Sequence, residues 1–342
     1  MKRLIYFIIL ILTCTTKFSF SQKGLKVGEN FILQKSKNSI FISAYRPKAL
    51  VEKAIYSVNE KSIYATDQIS RIAIVDTTNT IYLHNFIIKS LETIKIPFQI
   101  TPKNIFLTKD HIFIGGEAGK EMLIQYHIQT RKWFSLEIPT EVIKPGKAID
   151  DIVITENHLI AIDNIVTPKY LLFYQLNTSS KLALSHIRKL KANGAYEHIS
   201  NGRINSKYLA LLSETSSGYA GTHQHISVYD LNDMQRSFVF SISLKDKKTS
   251  PINDFAIVDD NLVIATKNSG ISKFKIDEAF FSKSQNKSAL DLNEEVSPAL
   301  IKYDFYDKSN VINLTSIPQT NKLVFTIAQK NGRLYRRILS VE

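Results

Sequence analysis

One sequence unit recurs along this chain at intervals of about 50 residues, and this repeat limits the folds that the chain can adopt. A clear copy occupies residues 252–277 (INDFAIVDDNLVIATKNSGISKFKID). It has an apolar run, a polar turn, a second apolar run, a glycine-containing turn and an alternating run. The six copies begin at residues 54, 104, 151, 201, 254 and 313. A fixed period of this length is typical of repeat architectures.

The runs within each copy have the length and composition of β-strands. They span four to seven residues, are rich in Ile, Val, Phe, Tyr and Leu, and are bounded by turn residues. A fourth run follows in most copies, as at residues 133–138 and 238–244. Four-stranded sheets bury both faces when they pack around a common axis, so the sequence predicts an all-β propeller with six four-stranded blades. A linear β-solenoid is the competing geometry, but its period is usually shorter.

The ends of the repeat predict how the ring closes. The last copy stops at its third strand, and two apolar runs, residues 30–33 and 39–45, precede the first copy. We expect one of these runs to supply the missing outer strand, which would remove two exposed sheet edges. A seventh blade is expected only if residues 77–98 or 280–306 hold a degenerate copy. Residues 281–295 lack a period-2 apolar pattern and are predicted to form a polar insertion between blades.

Three short runs give the chain a family resemblance: SIYATD (62–67), ISVYDL (226–231) and LVIAT (262–266). With these runs the chain resembles the six- to seven-bladed secreted propellers grouped as WD40-like, NHL-like or TolB-like. It departs from them in lacking a Trp-Asp dipeptide and a glycine-rich NHL signature. The resemblance covers residues 50–342 and implies a binding platform more often than an enzyme.

The N-terminus has the pattern of an export signal. Met-Lys-Arg is followed by the apolar run of residues 4–12, which is shorter than the roughly 20 residues that a membrane span needs. The pattern predicts a signal peptide over residues 1–21, cut between Ser21 and Gln22, and a single propeller domain over residues 22–342. The chain is thus expected to be periplasmic, at the cell surface or secreted. The alternatives are a buried N-terminal helix and a lipid anchor at Cys14, although Thr13 fits a lipobox poorly.

The charge of the chain favours acidic partners. The formal net charge is +13, and removal of Lys2, Arg3 and Lys17 with the predicted signal would leave 13 − 3 = +10. The basic residues are spread along the chain, and the densest groups, at residues 186–191, 245–248 and 333–337, fit solvated loops or edge strands. We expect a protein or a polar or anionic ligand at the cell envelope as partner, and no nucleic acid.

A polar residue recurs just before the predicted first strand in every copy but the first, which has Ala54. The five residues are Asn104, Asp151, Asn201, Asp254 and Asn313. Because the first strand of a propeller blade is innermost, they are predicted to ring the mouth of the central channel. Amide and carboxylate oxygens there could bind a cation or a polar ligand. The alternative is purely structural, since Asn and Asp before a strand also cap backbone N–H groups.

His223 and His225 lie two residues apart on a predicted strand, so both point to one face. They could begin a metal site, but such a site needs further ligands, for which Glu197 and His198 are the candidates. The alternative is a solvent-facing loop. No cofactor is predicted, and the chain has no nucleophile elbow, zinc-protease motif or P-loop, so catalytic residues are unknown.

The sequence therefore predicts a non-catalytic binding module whose partner docks at the channel mouth. Its contacts are expected in the loops at residues 140–147, 192–200 and 213–222, because loops carry most binding residues. The alternative is a metal- or carboxylate-dependent hydrolase or lyase acting on a glycan at the same face. In that case Asp151 and Asp254 could form the pair of acids that glycoside hydrolysis needs.

Overall fold

The structure is a computed structural model of the chain. It describes residues 25–27, 31–35, 39–46, 49–67, 69–117, 121–155, 157–163, 168–176, 181–190, 197–217, 221–233, 236–243, 251–267, 270–276, 281, 290–291, 299–300, 310–316, 320–328 and 334–341. The predicted signal peptide and Cys14 lie outside these ranges. Within them, no helix is long and apolar enough to cross a membrane.

The described residues form 28 strands in seven sheets, numbered here in chain order. Sheet 1 contains β1 (Leu25–Val27), β2 (Phe31–Lys35), β3 (Ser39–Arg46) and β4 (Ala49–Ser57). Sheet 2 contains β5 (Ile63–Thr66), β6 (Arg71–Val75), β7 (Thr80–Asn85) and β8 (Ser90–Lys95). Sheet 3 contains β9 (Thr101–Leu107), β10 (His111–Glu117), β11 (Leu123–His127) and β12 (Lys132–Ser135). Sheet 4 contains β13 (Ile149–Ile154), β14 (His158–Asp163), β15 (Tyr170–Gln175) and β16 (Ala183–Lys189).

The other three sheets have five, four and three strands. Sheet 5 contains β17 (His198–Ile204), β18 (Tyr208–Ser217), β19 (Gly221–Asp230) and β20 (Ser237–Ser243), with the short β24 (Leu290–Asp291) added in parallel to β20. Sheet 6 contains β21 (Ile252–Val258), β22 (Asn261–Thr266) and β23 (Gly270–Lys275), with β25 (Ala299–Leu300) beside β23. Sheet 7 contains β26 (Asn310–Ser316), β27 (Lys322–Ala328) and β28 (Leu334–Ser340).

The sheets are antiparallel meanders arranged radially. From sheet 2 to sheet 7, the first strand of each sheet lies beside the first strand of the next, and β1 contacts β26. Buried apolar residues fill the layers between neighbouring sheets instead of forming one central core. Sheets 2 and 3, for example, enclose Ile81, Ile94, Ile105 and Ile114. Each sheet therefore depends on its neighbours to bury both of its faces, as expected of a β-propeller.

Two expectations about the ring are corrected. The described residues form seven sheets where six were predicted, and the additional sheet is built by residues 25–57. Residues 77–98, considered for a degenerate blade, supply β7 and β8 of sheet 2. The described strands of residues 25–57 pair with one another and do not supply an outer strand to sheet 7. Short hairpins pair these strands locally, and sequential strands usually become neighbours.

The placement of Ala54 is also corrected. This residue lies in β4, the last strand of sheet 1, and does not open a first strand. The first strand of sheet 2 is instead β5, which has only four residues. The absence of a polar residue at position 54 is therefore a consequence of register, because the position is not equivalent to the starts of the other five copies.

Antiparallel meanders give the ring two distinct ends. The first and third strands of each sheet begin at the same end of the ring, and the connections between sheets lie there too. We call this end the entry face. The start of β13 and the end of β14 lie at it. The other end holds the turns between first and second strands and between third and fourth strands. We call it the turn face, marked by the turns at residues 67–70 and 86–89 of sheet 2.

Candidate partner-binding face

A β-bulge precedes each of the five repeated polar residues. In sheets 4 to 7 the register shifts between Ile149 and Asp151, Ile199 and Asn201, Ile252 and Asp254, and Val311 and Asn313, and sheet 3 has a matching shift before Asn104. A bulge inserts one extra residue and bends the strand. The five residues consequently lie inside β9, β13, β17, β21 and β26. They were predicted just before these strands, and that placement is wrong because the strand pairing continues across the bulge, whereas their position at the channel mouth stays a prediction.

The first half of this set links sheets 3, 4 and 5. The Asn104 side-chain amide donates to Asp151 Oδ1 at 2.7 Å, and that oxygen also accepts the N–H of Ile152 at 3.0 Å. Asp151 Oδ2 accepts the N–H of Gly202 in the next sheet at 3.0 Å. A Cβ on Gly202 would lie 3.0 Å from Ile162 Cδ1, so the close approach of these strands favours glycine there.

The second half repeats the pattern between sheets 5, 6 and 7. Asn201 donates to Asp254 Oδ1 at 3.3 Å, and Asp254 accepts the N–H of Phe255 and, from sheet 7, that of Leu314, both at 2.9 Å. Asp254 is only 1% exposed, and Arg203 Nη2 lies 3.2 Å from its Oδ1. Burial raises the pKa of Asp254, whereas Arg203 and the two backbone N–H groups oppose that rise.

We call these residues the inter-sheet belt: Asn104, Asp151, Asn201, Asp254 and Asn313. Each aspartate of the belt accepts donors from three successive sheets and so fixes the spacing of the inner strands. Such bonds match the structural alternative, in which the polar residues satisfy backbone N–H groups. Asn313 is buried as well. Ligand binding by the five residues stays a prediction.

Charged side chains are buried at the entry face of sheets 4 and 5. Lys147 Nζ lies 2.6 Å from Asp163 Oδ2, both side chains are fully buried, and the ammonium also donates to the backbone oxygen of Pro168. Asp163 Oδ1 has no hydrogen-bond partner among the described residues. Burial raises the pKa of Asp163 to about 6, against the opposing effect of Lys147. Buried charges of this kind require a fixed geometry, because an unpaired one is costly.

A second buried ion pair joins sheet 4 to sheet 5. Lys169 Nζ donates to the backbone oxygen of Glu197 and lies 3.5 Å from its Oε2. Ser213 donates to Oε1 of the same carboxylate at 2.7 Å. Burial lowers the pKa of Lys169, and Glu197 opposes this. The pair therefore ties the strand that begins sheet 5 to the loop before β15. We call Lys147, Asp163, Lys169, Glu197 and Ser213 the buried ionic cluster.

The two predicted metal-binding histidines lie beside this cluster on β19. Their ring centroids are 6.3 Å apart and the rings are nearly parallel. His225 is buried, with Nε2 2.9 Å from Thr215 Oγ1, and burial lowers its pKa. Nowhere in the described part of the chain do three His, Cys, Asp or Glu side chains gather closely enough to hold a metal ion. Glu197, a predicted third ligand, is engaged by Ser213 and Lys169, and His198 is exposed. Metal binding stays a prediction.

The described parts of the three predicted contact loops include residues of the buried ionic cluster, but two of the three are largely strand: residues 198–200 belong to β17, residues 213–217 to β18 and residues 221–222 to β19. Residues 140–147 end on Lys147, residues 192–200 contain Glu197, and residues 213–222 begin with Ser213. Sequence reasoning included Lys147 in a contact loop but not its ion pair, and it missed Asp163 and Lys169 as site residues. The only available signal was a charge directly beside a long apolar run, as in HLIAID, and that signal does not reveal pairing across loops.

Comparisons with known proteins identify the fold. No protein-family profile and no curated protein sequence matches the chain. Among solved structures, the Cps50 (Swd1) β-propeller domain of Myceliophteria thermophila covers 93% of this chain and 96% of its own at 11% identity, with a TM-score of 0.58. U3-55K covers 92% and 90% at 11% identity, with a TM-score of 0.56. Hsv2 of Kluyveromyces lactis covers 94% and 96% at 13% identity, with a TM-score of 0.55.

These similar structures are WD40 β-propellers, and at such low identity they establish the fold alone. The predicted all-β propeller and its WD40-like character are confirmed.

Proposed function

We propose that this WD40-like propeller is an exported, non-catalytic scaffold that binds a protein partner on its entry face, at sheets 4 and 5. The observation that carries the proposal is the buried ionic cluster. It lies at the entry face, includes residues from each of the three predicted contact segments, and joins neighbouring sheets through Lys169 and Glu197. A binding surface gains affinity when its supporting residues are held before the partner arrives.

The inter-sheet belt supports the same function from below. Asp151 and Asp254 each bond to the next sheet, so the inner strands form a rigid frame under the loops. Binding residues are commonly carried on loops that a rigid scaffold positions. Exposed groups around the cluster, among them Lys144, His198 and Glu214, could then make polar contacts with the partner.

The glycan hydrolase or lyase alternative has no supporting observation in the described residues. Asp151 and Asp254 bond to the backbone of neighbouring strands, and Asp254 is almost fully buried. A pair of catalytic acids must instead reach a substrate and a water molecule.

Export is the part of this proposal that rests on the N-terminal sequence. Cell fractionation followed by N-terminal sequencing would test it, and a mature chain beginning at Gln22 is expected. Recovery of the uncut chain in the cytoplasm would contradict export. A lipid-modified Cys14 would replace signal cleavage after Ser21 with the lipoprotein alternative.

Affinity capture with matched variants tests the binding face. The bait is the chain without residues 1–21, incubated with an envelope extract, and the retained proteins are identified by mass spectrometry. We expect a protein that the unmodified chain retains and that Lys144→Glu/His198→Glu loses. Both substituted side chains are exposed at the entry face of sheets 4 and 5.

The matched control is Lys132→Glu/Lys275→Glu, which changes the charge at least as much but lies at the turn face. It should retain the same partner. Equal loss in both variants would indicate a general charge effect, and unchanged retention in the entry-face variant would contradict the proposed face.

A further inference from the structure

Four large aliphatic side chains are exposed together at the turn face of sheet 2. Ile69 is 59% exposed, Ile87 65%, Ile88 70% and Leu91 60%. The two turns that carry the isoleucines are adjacent, because the N–H of Phe86 donates to the backbone oxygen of Ser70 at 3.0 Å. Soluble proteins seldom expose several large apolar side chains side by side without an interaction that uses them. We call these four residues the apolar tip.

Local hydrogen bonds fix the backbone of the two turns that carry the isoleucines of the apolar tip. Asn85 Oδ1 accepts the N–H groups of Ile87 at 3.0 Å and Ile88 at 3.2 Å, and Lys89 closes the turn with a positive φ of 55°. In the other turn, Asp67 Oδ1 accepts the N–H of Ile69 at 3.0 Å. The backbone of both turns is thus fixed without any contribution from the isoleucine side chains.

Sheet 3 has a related pair of turns built with polar residues: its second turn matches that of sheet 2, and its first turn is one residue shorter. Ile128 donates its N–H to Asp110 as Phe86 does to Ser70, and Arg131 has the same positive φ of 55° as Lys89. At the positions of Ile69, Ile87 and Ile88, sheet 3 carries Lys109, Gln129 and Thr130. The turn geometry therefore does not require isoleucine, and the apolar tip has no structural explanation within the described fold.

Cations accompany the apolar tip. Lys89 follows Ile88 directly and is exposed, and Lys109 is exposed on the adjacent turn of sheet 3. Arg71 holds the two sheets' turns together by donating to the backbone oxygens of Thr108, at 3.2 Å, and Lys109. The chain as a whole is also strongly basic, with a formal net charge of +13.

This chemistry fits a lipid surface better than a protein. The centres of protein interfaces are enriched in aromatic residues, Met and Arg, whereas the apolar tip is entirely aliphatic. Aliphatic side chains can enter the acyl region just below the headgroups while neighbouring lysines remain at the phosphates. Each lysine near an anionic membrane surface adds to the attraction.

We propose that the apolar tip of sheet 2 docks the protein on an anionic lipid surface, with Ile87 and Ile88 inserted and with Lys89 and Lys109 at lipid phosphates. This inference goes beyond the scaffold function, because it concerns the opposite end of the ring and another class of ligand. Attachment through the turn face would leave the entry face of sheets 4 and 5 directed away from the membrane.

Vesicle flotation tests the proposal with the chain lacking residues 1–21, which contains every described residue. The vesicles are phosphatidylcholine alone or phosphatidylcholine mixed with phosphatidylglycerol. We expect flotation with the mixed vesicles and much less with the neutral ones. Ile87→Gln/Ile88→Thr introduces the residues that sheet 3 carries at the equivalent positions. It should reduce binding at least about tenfold, because two aliphatic side chains that insert into the membrane are lost. Lys89→Glu/Lys109→Glu should reduce binding to the mixed vesicles only.

The matched control is Ile338→Gln, which removes an isoleucine that is 40% exposed on β28, far along the chain from the apolar tip. It should float as the unmodified chain does, and circular dichroism should show that all variants stay folded. Three results would each overturn the proposal: no flotation of the unmodified chain, equal flotation of Ile87→Gln/Ile88→Thr, or equal binding to neutral vesicles. Self-association that depends on the apolar tip, without flotation, would assign the surface to protein contacts instead.

Discussion

The entry face of sheets 4 and 5 and the turn face of sheet 2 depart from ordinary surface chemistry in opposite directions. At the entry face, Lys147 and Asp163 are buried although charged. At the turn face, Ile87 and Ile88 are exposed although apolar. Lysine and aspartate are rarely fully buried unless paired, and exposed apolar side chains are informative when they cluster.

The two faces differ in how far the fold depends on the unusual residues. Lys147 and Asp163 form a buried ion pair, and Lys169 and Glu197 bridge two sheets, so removal of one partner leaves a buried charge. The isoleucine side chains do not support their turns, because Asn85 and Asp67 already hold the turn backbones by hydrogen bonds. The free energy of unfolding should consequently depend strongly on the buried charged residues and hardly on the exposed isoleucines.

The largest effect is expected for Lys147→Ala. This change leaves Asp163 buried without its cation and should lower the free energy of unfolding by about 3–5 kcal/mol. Urea denaturation followed by circular dichroism measures it. Lys144→Ala, in the same loop but exposed, is the control and should change stability by less than about 0.5 kcal/mol. Similar losses in both variants would remove the distinction between buried and exposed charge on which the comparison depends.

Substitutions in the inter-sheet belt should lower the free energy of unfolding by an intermediate amount, with the larger loss at the more buried aspartate. Asp254→Ala leaves the buried N–H groups of Phe255 and Leu314 without their acceptor and Arg203 without its carboxylate, at a cost of about 2–4 kcal/mol. Asp151→Ala also removes the acceptor of two backbone N–H groups, but at a half-buried site and without an arginine. It should lower the free energy of unfolding by about 1–2 kcal/mol. Urea denaturation of both variants gives the order. A larger loss at Asp151 would show that burial does not set the strength of the belt.

Acidification should weaken the entry face through His225. Burial lowers the pKa of this histidine from 6.5, so the unfolded chain binds a proton more readily than the folded one. Its contribution to stability is fully present above pH 6.5 and is lost as the pH falls through the lower folded pKa. His225→Gln keeps a hydrogen-bonding group near Thr215 but does not titrate. Urea denaturation across this range should therefore show a shallower pH dependence for the variant, and identical slopes would contradict the assignment.

Much of the fold follows from the sequence, because strand signals are local. The apolar runs around Leu262 and Ile226 predict β22 and β19, and the 50-residue period predicts radial sheets. Sheet 1 was missed because residues 25–57 do not align with the repeat, and Ala54 was assigned to the wrong strand. The bulges were missed because they are changes in pairing register that leave no residue signature.

The site could be predicted only in part, for a different physical reason. Its bonds join residues far apart in the chain, as between Asp151 and Gly202 or Lys169 and Glu197, and depend on the packing of whole sheets. The contact segments were predicted from their composition and include Lys147, Glu197 and Ser213, but the bonds of these residues within the buried ionic cluster were not predicted. In the sequence Phe86-Ile87-Ile88 reads as one more apolar run, and only the turn at Asn85 shows that two of these residues face solvent.

The smallest effect on stability, and the sharpest test of the comparison, is expected from moving the apolar tip to sheet 3. Lys109→Ile/Gln129→Ile/Thr130→Ile places isoleucine at the three corresponding positions, two of which lie in a turn with the same geometry as residues 86–89. These side chains are exposed, and the bond that Gln129 donates to Asp110 Oδ1 is a surface contact at 3.3 Å, so the free energy of unfolding should change by no more than about 0.5 kcal/mol per substitution. Flotation with phosphatidylglycerol vesicles should increase, since a second apolar tip would lie beside the first. If the triple variant unfolded readily, the side chains at these positions would be structural after all. The isoleucines of sheet 2 would then need no lipid to explain them.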